Sequence, residues 1–145
     1  MLWVVAIPIT VAMFQHRGID VVTWIGVALA AVGLFFETVG DLQLARFRSD
    51  PSNAGKLLDT GLWSWTRHPN YFGDLCVMYS FWLIACGNWF GALTIVCPIL
   101  MTRMLIVRTG KNMLDRRLAK TRGEAYADYA RRTSGLVPRP PRRTA

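Results

Sequence analysis

Histidine is scarce in this chain, with two in 145 residues, and the three cysteines stand at positions 76, 86 and 97. Those spacings match no metal-ligand or redox pattern, so no metal site is expected. Each cysteine sits inside an apolar stretch and reads as a small core residue. Acidic residues are also few, nine Asp and Glu against 17 Lys and Arg, for a net charge of +8. Such an excess suits nucleic acid in the abstract, but its distribution argues otherwise. Arg17 precedes the second apolar segment, Arg46, Arg48, Lys56 and Arg67 lie in the central segment, and twelve basic residues run from Arg103 to Arg143. Basic clusters flanking apolar spans are what the positive-inside rule produces. The charge is therefore read as membrane topology, and no nucleic-acid partner is expected.

Apolar surface is abundant: 52% of residues are hydrophobic, six are Trp, and the mean hydropathy is +0.27. One membrane domain is the most that this length supports. Sixteen uncharged residues separate Asp20 from Glu37, and helical character continues to about residue 47. A helix over 21–47 would reach roughly 40 Å, enough to cross a bilayer and project beyond it. After Asp74 no charge appears until Arg103, and the run breaks at Cys86-Gly87-Asn88. It reads as a helical hairpin, one span over about 70–86 and another over about 89–107 that contains Pro98. The N-terminal apolar stretch, about 2–14, offers roughly 20 Å of helix against the roughly 30 Å that a span requires. It reads as the truncated tail of a longer helix, in a chain that begins late or completes its first layer with a partner. No basic n-region or small-residue cleavage site marks it as a signal peptide. A cytoplasmic helix over about 111–132, bent near Gly123, and an extended Pro- and Arg-rich tail over 136–145 complete the chain. The fold expected is thus an all-α integral membrane protein with about four transmembrane helices plus a cytoplasmic C-terminal helix. Both ends and the 49–66 loop would face the cytoplasm, while Gly18 and Gly87 face away from it.

Two polar clusters interrupt the apolar background. Positions 37, 41, 44 and 48 share one helical stripe, so Glu37, Asp41 and Arg48 line one face near the end of the second span. Ionisable groups at such depth are costly unless they face protein or water, which makes them functional candidates; an interhelical structural ion pair is the alternative. The second cluster is GLWSWTRHPNYFGD, 61–74. Pro69 suits the first turn of a helix and pushes His68 out of helical geometry. Arg67, His68, Asn70, Tyr71 and Asp74 then crowd the mouth of the next span. The arginine and the helix N-terminus suit a phosphate or carboxylate, the amide and phenol a nucleobase edge, and Asp74 an amine, a ribose hydroxyl or a cation.

FFETVGDLQLARFR, GLWSWTRHPNYFGD and AYADYARRTSGLVPRPP occur in this order. Together they resemble the bacterial branch of the membrane steroid 5-alpha-reductase-like family, which is related to isoprenylcysteine carboxyl methyltransferases. The resemblance covers about residues 37–141 and implies an NADPH-binding half. It also implies Asp41, Arg48, Arg67, Asn70, Tyr71 and Asp74 as cofactor contacts, with Tyr126, Tyr129 and Arg132 closing the site from the C-terminal helix. Lys56 and His68 join them as neighbouring polar groups. Two departures stand out. The family's acid after NYFG is often Glu where this chain has Asp74, and the family's additional N-terminal helices, which carry the substrate pocket, are absent from this sequence.

The leading functional expectation is a reductase using NADPH on a carbon–carbon double bond of a lipid or steroid-like substrate. It would sit in the membrane, in the bacterial inner membrane, with its cofactor site facing the cytoplasm. Tyr71 and Tyr79 are the phenols nearest the membrane mouth; Tyr71 is the catalytic candidate, and no residue is assigned as proton donor. A methyltransferase using S-adenosylmethionine is the rival, with Asp74 meeting the methionine amine and Arg67 or Arg132 its carboxylate. Arg46, Arg48, Lys56 and Arg67 exceed what one carboxylate needs, which favours the polyanionic cofactor. A truncated, non-catalytic membrane scaffold is the third reading. Gly26, Ala30 and Gly33 could support a homo-oligomer, although packing within one chain explains them more simply.

Overall fold

Asp20 starts the longest helix, because its carboxylate accepts hydrogen bonds from the backbone N–H and the hydroxyl of Thr23, at 2.9 and 2.8 Å. In a computed structural model of the chain, residues 2–14, 18–109 and 111–142 are described; Arg17, His16 and the end of the tail at 143–145 lie outside them. The elements are α1 (Leu2–Met13), α2 (Val21–Ser49), α3 (Pro69–Ala85), α4 (Trp89–Leu93), α5 (Val96–Arg103) and α6 (Lys111–Arg132). A π-helical turn, Met104–Thr109, precedes α6, and short 3-10 turns at Pro51–Asn53 and Gly61–Ser64 join α2 to α3. Among the described residues the fold is all-helical, apart from one isolated parallel bridge between Thr66 and Ser134.

By length and composition, two stretches qualify as candidates to cross a membrane, Val21–Ser49 and a segment within Trp89–Arg132, which is not one continuous helix. In the apolar part of α2 only 11% of residues are buried within the chain. Trp24, Ile25, Leu34 and Phe35 therefore point outward, which a membrane protein tolerates and a water-soluble one of this size does not. The helix expected over 70–86 is Pro69–Ala85, but its 17 residues reach only about 25 Å. The helix expected without interruption over 89–107 is broken instead. Pro98 has no N–H to give the carbonyl of Thr94, and that carbonyl takes the N–H of Cys97 at 2.9 Å, so α4 ends and α5 begins there.

The α2–α3 pair forms the spine. Gly26, Gly33 and Gly40, seven apart, are the buried residues of α2. A Cβ on Gly33 would stand 2.8 Å from the carbonyl oxygen of Gly73, and one on Gly73 would stand 2.6 Å from that of Gly33. No side chain fits between the two backbones there. Gly26 and Gly33 thus serve contacts within the chain, as the simpler reading held.

Candidate functional site

The last two turns of α2 carry the segment that leads into α3. Gln43 accepts the Leu62 N–H at 3.0 Å, and the Trp63 indole N–H donates to the Gly40 carbonyl at 3.0 Å. From there the chain runs past Thr66 and Arg67 to His68, which precedes Pro69 at the first turn of α3. The C-terminal tail straps this segment down. The Arg67 N–H donates to the Ser134 carbonyl at 2.9 Å, the Thr66 hydroxyl to that of Leu136 at 2.8 Å, and the Arg139 N–H to that of Trp65 at 3.1 Å. The expected tail is thus without regular structure over its described part, yet bonded in place.

Asp115 of α6 is the hub of the polar core. One carboxylate oxygen lies 2.9 Å from His68 Nε2 and accepts the Tyr126 hydroxyl; the other lies 3.5 Å from Arg67 Nη2. His68 is only 2% exposed and stacks on Tyr71 at 5.2 Å between ring centres. Burial alone would raise the Asp115 pKa. The hydrogen bonds from His68 and Tyr126 and the charges of His68 and Arg67 outweigh it and hold the group down at about 2. The same burial, with the bond to Asp115, pushes the Tyr126 phenol well above its ordinary range. Tyr129, also raised by burial, donates to the Trp63 carbonyl at 2.6 Å. The Arg67 Nε is buried and has no hydrogen-bond partner among the described residues.

These groups form one wall of a cleft of about 640 Å³ between the end of α2, the loop after it, the start of α3 and α6. Its size lies within the roughly 300–1,000 Å³ usual for ligand and cofactor sites. Of the residues singled out from sequence, Asp41, Arg48, Lys56, Arg67, His68, Asn70, Tyr71, Tyr126 and Tyr129 line it. Asp41 and Asn70 meet directly, the amide donating to the carboxylate at 3.1 Å. Glu37 and two of the residues named as cofactor contacts stand apart from the lining. Asp74, one turn further along α3, lies among Glu37 and Asp41 on the α2 side and is not part of the cleft lining. Arg132 is turned away and is held by Asp128 at 2.9 Å and Asp59 at 3.6 Å.

Asp115 and Arg122 were not singled out from the sequence. In LDRRLAKTRGE they look like members of a solvated, mixed-charge helix face. The available signal was their spacing: 115, 118, 122, 126 and 129 recur at three and four residues and all line the cleft. Chemically, the cleft offers an unsatisfied guanidinium N–H, further cations at Arg48, Lys56 and Arg122, and the aromatic faces of Trp63, Tyr71 and Tyr126. That donor set fits a phosphorylated nucleotide, whose anionic groups need N–H donors and whose rings need flat apolar walls.

Residues 1–133 match the family described as a protein of unknown function, DUF1295. The chain belongs to this steroid 5-alpha-reductase-like family, as its three motifs led us to expect. It is 30% identical over 121 residues to the Delta(14)-sterol reductase TM7SF2 of Mus musculus, covering 72% of this chain and 27% of that protein. It is 41% identical over 54 residues to the Delta(14)-sterol reductase LBR of Gallus gallus, covering 37% of this chain and 8% of that protein. The chain thus spans about a quarter or less of the length of these relatives. No solved structure matches it.

Proposed function

We propose that this chain is the cofactor-binding part of a membrane-embedded, NADPH-dependent reductase acting on a carbon–carbon double bond of a lipid or steroid-like substrate. The observation that carries the reading is the cleft itself, where Arg67 keeps a buried Nε without a partner among the described residues and Arg48, Lys56 and Arg122 add further cations to the lining. Likeness to two sterol reductases supports the reaction class. The proposal keeps four spans and a cleft that opens on the cytoplasm, the latter supported by the basic residues beside it.

Arg67 and Arg48 would bind phosphate, Asn70 and Asp41 would meet ribose or base edges, and Tyr71 would pack on a ring. NADPH supplies a hydride when bound, so the protein's tasks are orientation, exclusion of water and delivery of a proton. Tyr126 is poorly suited to deliver one, because its proton is committed to Asp115 and its pKa is raised. Tyr71, the catalytic candidate, lines the cleft and is proposed here as the donor. The methyltransferase alternative loses support from the placement of Asp74, the acid meant for the methionine amine, outside the cleft lining.

Titration of the purified chain in lipid nanodiscs tests the reading. NADPH should bind saturably, and Arg48→Ala should weaken it by about 1.5–3 kcal/mol, the range for a hydrogen bond to a charged group. Saturable binding of S-adenosylmethionine without NADPH binding would replace the reductase by the methyltransferase.

A further inference from the structure

The C-terminal helix is bent back on itself, and the bend delivers a side chain to the far wall of the cleft. Asp115 and Tyr126 are 11 residues apart, yet the Tyr126 hydroxyl donates to the Asp115 carboxylate. On a straight helix that separation would be about 16 Å. Gly123 makes the turn with φ +50° and ψ −124°, a conformation that L side chains rarely adopt, and nothing lies within 4 Å of where its Cβ would be. Arg122 therefore sits at the apex. Its Nη1 lies 3.4 Å from where a Cβ would stand on Gly55, in the loop after α2, whose own φ is +83°. Lys56 follows Gly55 and lines the same cleft.

These two cations differ from the other basic groups nearby. Among the described residues Arg67 pairs with Asp115, Arg131 with Asp128, and Arg132 with Asp59 and Asp128. Among the described residues no carboxylate forms an ion pair with Arg122 or Lys56. Asp50, within electrostatic reach of Lys56, turns its carboxylate to the Ser52 N–H at 2.9 Å. Two cations without a carboxylate partner among the described residues, Arg122 beside Gly55 and Lys56 next to it in the chain, both line one cleft. They suit a dianion better than a singly charged diester, and an arginine fork can grip two of its oxygens. A phosphomonoester carries roughly −1.5 to −2 charges near neutral pH.

We infer that Arg122 and Lys56 clamp a phosphomonoester across Gly55, and that they are the residues by which this chain prefers NADPH to NADH. The inference rests on the reductase reading above, and it adds the two side chains that read the extra phosphate. Arg67, its charge matched by Asp115, is left to the part of the cofactor common to both nucleotides.

The test measures dissociation constants for NADPH and for NADH on the whole chain in nanodiscs, for the parent, Arg122→Gln, Lys56→Gln and Arg122→Lys. The parent should favour NADPH. Arg122→Gln and Lys56→Gln should each weaken NADPH by about 10–100-fold and leave NADH unchanged, so that retained NADH binding also reports an intact fold. Arg122→Lys should keep part of the preference. Equal affinity of the parent for both nucleotides, or a parallel loss of both in the variants, would overturn the clamp while leaving the reductase reading in place. A parent chain that binds neither nucleotide would overturn both.

Discussion

The α2–α3 spine and the cleft built around α6 solve opposite packing problems. In the spine, backbones touch through Gly33 and Gly73 with no polar side chain between them. In the cleft wall, Arg67, His68, Asp115 and Tyr126 hold α6 to the start of α3 by hydrogen bonds and charge. Helices in lipid gain little from burying apolar side chains, since lipid is as apolar as leucine; close backbone approach and dispersion replace that drive. A mixed-charge helix such as α6 has little apolar surface to bury, and a satisfied polar hub takes over. The spine should therefore be sensitive to added volume, and the cleft wall to lost partners.

The largest effect expected is on the cleft side. Arg67 and Asp115 are only 15% and 17% exposed, so solvent screens them weakly. Asp115→Ala strands a half-buried guanidinium and the Tyr126 hydroxyl, and should cost about 3 kcal/mol, the lower end for breaking a buried pair. Limited proteolysis should show release of 111–142 while α2 and α3 stay protected. The pH dependence has a definite sign. A carboxyl held at about 2, below its ordinary 3.8, stabilises the docked state fully above about pH 4 and loses that contribution as pH falls toward 2. Docking of α6 should fail as pH falls below about 4, and Asp115→Asn should remove that acid transition.

Sequence made the helices legible more readily than this division of labour. The polar limits of α2 and α3 are marked by Asp20, Pro69 and the Cys86-Gly87-Asn88 turn, so their extents could be read almost to the residue. The break before α5 was missed because Pro98 was treated as tolerable inside a span, although its lost hydrogen bond falls on Thr94. Gly26 and Gly33 stood out as small residues, whereas Gly40, the next in the seven-residue series, lies beside charged Glu37 and Asp41 and escaped notice. The family motifs pointed to seven of the cleft's lining residues, and Lys56 and His68 were added as their polar neighbours. The motifs did not reveal Asp115 and Arg122, which lie outside them; a bend near Gly123 was expected, but not that it folds Tyr126 back onto Asp115. Asp74 and Arg132 carry the right chemistry on neighbouring turns that face other partners.

The spine's own sensitivity is next in size. Gly73→Ala places a methyl 2.6 Å from backbone atoms of Gly33 and Glu37, which cannot swing aside as a flexible side chain could. It should cost about 1–3 kcal/mol, as overpacking does. Thermal unfolding in detergent would read it. An unchanged midpoint would mean that the helices do not touch as described.

A smaller effect isolates a single bond of the cleft wall. Tyr129→Phe removes the buried donor to the Trp63 carbonyl and should cost about 1 kcal/mol while leaving the spine untouched. A lower midpoint with unchanged protection of α2 and α3 is the expected result.

The most direct test of the account is amide hydrogen exchange of the nanodisc-embedded chain with and without NADPH. Protection should increase in the 50–58 loop, at 67–71 and in α6, and stay constant in α2 before Glu37 and in α3 beyond Asp74. No change at those segments, or a change confined to the spine, would contradict the assignment of the cleft as a nucleotide site.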